Sequence, residues 1–338
     1  MIASTGSAVQ ERLDVNSQVF LEEIVPAGKP TVLRGLVSAW PAVRAASVSV
    51  AAVCGYLKQY DTLRPVDVSV GSPSIQGKFF YKEDDLGRVN FSRASVPIST
   101  VLDQLQNANG PDSHSIAVQS LPIPLALPGF EHENRMPLQG VGGIPRIWIG
   151  NPVVVQTHLD YNDNVACVVA GRRRFTLFPP EQITNLYIGP IENTPGGAPV
   201  SMVPLDNSDM ERYPRFAEAL AASQTAELGP GDAIYVPYAW WHHVRSLEPF
   251  NILVNYWWND TPPAASSPFN CLLHALLALR TLSPRQREIW KTIFDHYIFN
   301  GNAEALEYLK PGERGVLGTM NPDLAQHIKK RLLKSLEK

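Results

Sequence analysis

Between residues 146 and 258 the chain is a series of short runs rich in β-branched and aromatic residues, cut by glycine and proline: RIWIG, PVVVQTHLD, NVACVVAG, RRRFTLFPP, GDAIYVP and FNILVNYWW. Strands of this length and spacing specify a β-barrel or β-sandwich. The 29 prolines and 23 glycines among 338 residues fit such a turn-rich fold better than a helical bundle.

Three zones follow from this reading. Residues 1–110 are mixed α/β and pack on the barrel. A strand is expected at Val32–Leu33, helices at Val48–Tyr60 and Ile98–Leu105, and a strand at Lys78–Lys82. Residues 111–262 hold the barrel. Two irregular stretches, 121–145 and 189–214, are rich in proline and glycine and are expected to cover the substrate. Residues 263–338 turn helical, with apolar residues at three- and four-residue spacing in CLLHALLALR, PRQREIWKTIFDHYIFN and DLAQHIKKRLLKSLEK. The expected class is α+β, mainly β.

Composition excludes several functions. A hydrophobic content of 44% against 18% charged residues supports a packed core. A net charge of −3 with no basic block does not favour a nucleic-acid or anionic-membrane surface. Cys54, Cys167 and Cys271 are far apart and odd in number, so neither a disulfide framework nor a thiolate metal site is expected. The first residues lack the pattern of a secretory signal. The apolar run Leu272–Leu279 is too short to span a bilayer. A soluble, cytoplasmic protein is expected.

One constellation carries chemistry. His158 and Asp160 are two residues apart, and on a strand such residues share a face. His242, in PYAWWHHV, follows a later strand signal and can complete a set of two imidazoles and one carboxylate. That set leaves half an octahedral coordination sphere open, as a ferrous oxygenase centre requires. An isolated H-x-D is also compatible with a hydrogen-bonded core histidine and a turn aspartate. His243 is the alternative ligand if the strand register is shifted by one.

The stretch from Arg146 to Trp258 resembles the JmjC-like cupin oxygenases, and within them the asparaginyl hydroxylases and their bacterial relatives. The matching segments are RIWIG, THLDYNDN, GRRRFTLFPPEQ, DMERYPRF, GDAIYVPYAWWHHV and NILVNYWW, in the family's order. PTVLRGLVSAWPAV, near the N-terminus, resembles the family as well. The resemblance implies a double-stranded β-helix (jelly-roll) core. It also implies an Fe(II)- and 2-oxoglutarate-dependent dioxygenase that hydroxylates a C–H bond, consuming O2 and releasing succinate and CO2. His158, Asp160 and His242 would be the iron ligands. Arg173 would bind the cosubstrate's distal carboxylate in place of the family's lysine. Asn164, Asn255 and Trp257 match positions beside the cosubstrate, though satisfied barrel amides and a core aromatic are the plainer readings. Gln119 is a further candidate for contact. Two hydroxyl donors of the family are replaced, by Val155 and Ala117, and Tyr81 is a possible substitute. A peptide or amino-acid-like substrate is expected, and a homodimer through the C-terminal helices. The alternatives are another metal-dependent cupin enzyme acting on a small molecule, or a non-catalytic cupin binding module.

Overall fold

Alternation along Asp163–Ala170 sets the architecture. Val165, Cys167 and Val169 face one hydrophobic core, while Ala166 and Val168 face another. A strand covered on both sides needs apolar residues at every position, which is why NVACVVA reads as a continuous run. In the computed structural model, residues 6–108, 110, 112–259, 267–300 and 306–337 are described. The chain divides into two compact units, Met1–Asn259 and Asp260–Lys338.

Within the first unit, the described residues form two main sheets and a small hairpin. The smaller main sheet orders Ser7–Ala8, Gln224–Leu228, Arg173–Phe178, Trp241–Ser246 and Val154–His158. The larger has nine strands, with Asp163–Ala170 and Asn251–Trp258 paired near its middle and Arg146–Gly150 and Ser115–Pro122 beyond. Neighbouring barrel strands are antiparallel and come from distant parts of the chain, the signature of a jelly-roll. Phe175, Leu177, Ala226 and Val244 of the smaller sheet meet Ala166, Ile234 and Leu253 of the larger. The fold is the expected α+β, mainly β, double-stranded β-helix.

The outer face of the larger sheet is covered by helices. Ile98–Asn107 buries Ile98, Val101, Leu102 and Leu105, one stripe at helical spacing. The helix expected over Val48–Tyr60 is broken at its start. Ser49 is extended (φ −170°, ψ 164°), and its side chain accepts a hydrogen bond from Ala52 N, capping Val50–Lys58. A separate helix, Pro41–Val48, precedes it. Of the strand expected at Lys78–Lys82, only Tyr81–Lys82 is regular, paired with Asp85–Val89. The stretch 121–145 is not a covering loop. It holds the single turns Ile123–Ala126 and Phe130–Glu133, and Ile123, Leu127, Phe130 and Leu138 are buried in the helical core.

The second unit is helical: Pro268–Leu279, Pro284–Phe294 with a Ser283/Gln286 capping box, and Pro322–Leu336 capped by Asn321. The zone boundary expected at 262/263 lies outside the described residues, as does residue 111 beside the 110/111 boundary. Among the described residues, no helix is long and apolar enough to cross a membrane.

Asn134 ties the helical layer together. It is fully buried; its Oδ1 accepts from Ala42 N (3.0 Å), and its Nδ2 donates to Phe130 O (2.9 Å) and Tyr56 Oη (2.8 Å). Asn134→Ala leaves buried partners unpaired and should cost about 1–3 kcal/mol. Urea denaturation checks this; an unchanged midpoint would show that the layer does not rely on Asn134.

Candidate metal centre

Pairing between two strands of the smaller sheet sets His158 directly across from His242. Their ring centroids are 4.2 Å apart. Each Nδ1 lies against the backbone carbonyl two residues earlier, Gln156 O at 2.8 Å and Trp240 O at 2.9 Å. A carbonyl only accepts, so Nδ1 holds the proton and Nε2 keeps a free lone pair.

The strand Val154–His158 ends at His158, so Asp160 is not its strand neighbour, contrary to the expectation of a shared strand face. It sits in the irregular backbone that follows, where its carbonyl accepts a hydrogen bond from Ala239 N (3.1 Å). Its Oδ2 lies 3.5 Å from His242 Nε2, is buried, and accepts no hydrogen bond. Ligand atoms of His158, Asp160 and His242 all fall within 4.8 Å of one another. Burial, followed by the neighbouring His158, holds the His242 imidazole down at about 4, partly offset by Asp160 and the Trp240 carbonyl. His242 is therefore neutral at pH 7 and loses no proton on ligating a cation. Two free imidazole nitrogens and a buried carboxylate oxygen without a hydrogen bond fit a divalent metal.

His243 faces the opposite side of the strand. It lines a separate small cavity with Lys78, Gln156 and Asp206, and its Nε2 is buried without a partner. Burial also lowers its value to about 4.

A cavity of about 50 Å³ behind the centre brings together His158, Asp160, His242, Asn164, Asn255, Trp257 and Arg173. Gly171, two residues before the Arg173 strand, has φ +73°, and an added Cβ there would sit 2.4 Å from Asn251 Oδ1. Arg173 is 7% exposed, its Nε is unpartnered, and no acidic residue pairs with it among the described residues. Burial lowers its value to about 10, which leaves it charged at neutral pH. Arg172 and Arg174 point outward, Arg172 to Glu248 and Arg174 to Glu227. Asp160 and Arg173 line one cavity yet form no ion pair. Arg173 pairs with Ser246, four positions from His242, a strand distance of about 13 Å.

The remaining candidates differ in availability. Asn255 Oδ1 accepts from Trp148 Nε1 (2.8 Å), and its Nδ2 donates to Asn164 Oδ1 (3.3 Å), so much of that amide is taken up by protein. Trp257 Nε1 is buried without a partner. Gly143 (φ +90°) backs Trp257 so closely that a Cβ would lie 2.0 Å from its carbonyl oxygen. Val155 lines the cavity, whereas Ala117 does not, packing with Phe79 and Val153 in a small cluster that Val155 borders. Tyr81 does not substitute for a lost hydroxyl, because its Oη donates to Asn193 O (2.6 Å).

A cleft of about 540 Å³ opens onto His158, Asp160 and Trp257. Residues 195–198 of the second irregular stretch line it, as does Gln119, but nothing from 121–145 does. Phe79, Phe80, Phe91 and Arg93 of the first zone form the opposite wall, and Arg146 and Trp148 join them. Sequence reasoning overlooked those residues. The signal available was the parity of RIWIG, which puts Arg146 and Trp148 on one face.

The chain matches the family described as cupin-like domain over residues 16–264. It is 39% identical over 104 residues to lysine-specific demethylase JMJ31 of Arabidopsis thaliana, covering 31% of this chain and 18% of that protein. It is 25% identical over 310 residues to tRNA wybutosine-synthesizing protein 5 of Danio rerio, covering 82% of this chain and 87% of that protein. Identity to the human bifunctional peptidase and (3S)-lysyl hydroxylase JMJD7 is 25% over 272 residues, 71% of this chain and 80% of the relative. Coverage thus runs from about a fifth of one relative's length to most of the other two.

The two buried histidines set a pH dependence. Both are held below the ordinary histidine value, so the unfolded chain binds protons that the folded chain does not. Their contribution to stability is present above pH ~6.5 and lost as pH falls toward 4. The metal-free protein should show a lower urea midpoint at pH 5 than at pH 7.5, and His243→Leu should narrow the gap. A midpoint flat across that range would contradict the neutral, buried imidazoles.

Proposed function

Because the chain belongs to the cupin-like domain family, we propose that it is an Fe(II)- and 2-oxoglutarate-dependent oxygenase that hydroxylates a C–H bond of a peptide or amino-acid-like substrate. The observation that carries the reading is the cavity's pair of unpartnered groups, Asp160 Oδ2 beside two free imidazole nitrogens and the buried Arg173 guanidinium. His158, Asp160 and His242 would hold the metal, and Arg173 the far carboxylate of the cosubstrate. Iron with oxoglutarate supplies an oxidant able to attack an unactivated C–H bond, with succinate and carbon dioxide as co-products.

The protein's own part is orientation and dryness. The carbonyls of Gln156 and Trp240 fix both imidazoles, so each Nε2 is held free to ligate a metal. Arg173 offers a planar fork that a carboxylate can take bidentately. Phe175, Val244 and Leu253 exclude water from the cavity wall. No separate acid–base pair is required. Two of the relatives are named for lysine chemistry and one for synthesis of a tRNA base. A peptide-type substrate is preferred because, among the described residues, the cleft has no basic track of the kind a nucleic-acid backbone needs. We further propose a homodimer through Pro268–Leu279, whose Leu272, Leu273, Leu276 and Leu277 are exposed; a monomeric mass by light scattering at micromolar concentration would remove it.

Anaerobic addition of oxoglutarate to the ferrous protein should give a visible metal-to-ligand charge-transfer band. Asp160→Ala should weaken metal binding by more than about a hundredfold and abolish the band. Arg173→Leu should keep the metal but raise the oxoglutarate KM at least about thirtyfold, the equivalent of ~2 kcal/mol. Unchanged succinate production by Asp160→Ala would refute the assignment.

A further inference from the structure

We propose that Arg146 anchors a carboxylate of the substrate, so that the molecule oxidised beside His158, Asp160 and His242 is an acidic peptide or amino acid. The inference rests on the oxygenase reading for its chemistry but on separate observations for its recognition. Arg146 is half-buried on the wall of the cleft that opens onto His158 and Asp160. Its side chain is already placed. Nη1 donates to Ser120 O (2.7 Å) and Ser120 Oγ (3.2 Å), and the guanidinium carbon lies 5.7 Å from the Trp257 ring centroid.

The partner that fixes it is itself unusual. Strands Ser115–Pro122 and Arg146–Gly150 slip register between Val118 and Leu121, and Ser120 in that bulge has φ +52°. A serine in the left-handed region is uncommon, and here the bulge turns both of its oxygens toward Arg146.

With both Nη1 hydrogens committed, the Nε–Nη2 edge remains. Among the described residues that edge has no protein partner, and Arg146 forms no ion pair. This edge presents two parallel N–H donors, the geometry that matches a planar carboxylate. Among the described residues, and apart from those of the metal centre, the charged groups lining the cleft are Arg93, Arg146 and Asp67. Two guanidiniums against one carboxylate suit a ligand of low negative charge. They do not suit a polyphosphate backbone, which needs many cations along its path.

The carboxylate can be a side-chain group or the α-carboxylate of a free amino acid or chain end, and the test separates these. Acetylated, amidated pentapeptides with Asp, Glu, Asn, Gln or Lys at the centre are titrated into the manganese-loaded protein, alongside the neutral peptides carrying a free C-terminal carboxylate. Binding is read by tryptophan fluorescence, since Arg146 lies over the Trp257 ring and Trp148 packs edge-on against Trp257 in the same cleft. At least one acidic series should bind about tenfold or more tightly than its neutral counterpart. Arg146→Gln should abolish that preference and Arg146→Lys restore part of it, a graded rescue that a purely structural role would not produce. Manganese uptake by each variant checks folding. The proposal is overturned if no acidic peptide binds at millimolar concentration, if Arg146→Gln keeps the preference, or if inorganic phosphate or a single-stranded oligonucleotide binds more tightly than every acidic peptide. Because binding is measured without turnover, a failure of the iron and oxoglutarate chemistry would leave this result intact and be separately visible.

Discussion

A half-buried carboxylate and a buried guanidinium that line one cavity attract each other, and here the barrel prevents them from pairing. Asp160 and Arg173 share a cavity yet make no ion pair, because Arg173 lies four strand positions beyond His242 while Asp160 hangs from the irregular backbone at the opposite end. Burying the Arg173 guanidinium alone is costly, and the usual compensation is a partner. The fold denies each the other, so both remain available to a ligand.

The separation depends on backbone register. His158 and His242 meet because their strands pair at that position, and their orientation comes from main-chain carbonyls. Neither feature requires a dedicated supporting side chain. The outer face of the larger sheet gives the rigidity, packed by Ile98–Asn107 and the buried Asn134 network. Strand positions hold a constellation more tightly than loops can, and in this protein only Asp160 comes from irregular backbone.

Much of the barrel was legible because β-branched and aromatic runs separated by Gly and Pro leave few alternatives. The arginine triplet was readable by parity: Arg173 points inward, and its neighbours lie outside in ion pairs with Glu227 and Glu248. What local pattern missed has physical causes. Ser49 interrupts a helix that propensity alone would continue, since its side chain satisfies the next helix's first turn better than another helical turn would. Residues 121–145 have no period, yet they bury Ile123, Leu127 and Phe130, because isolated apolar residues on irregular backbone bury as well as a stripe does. Tyr81 was a reasonable hydroxyl donor by type, but its Oη is taken up by the Asn193 carbonyl, a contact across 112 positions.

The sequence by itself determined which residue types could form a metal centre and that they would lie on a barrel. Strand parity and the order of the runs follow from local chemistry, and spacing of two or four residues is all they need. Only the tertiary structure decided which groups stay uncompensated. Whether Asp160 Oδ2, Arg173 Nε or the outer edge of Arg146 finds a partner depends on strands far apart in the chain, on a bulge at Ser120 and on a cleft whose walls come from three separate regions. Such contacts are set by register between distant segments, and register is a property of the packed whole that no local window contains.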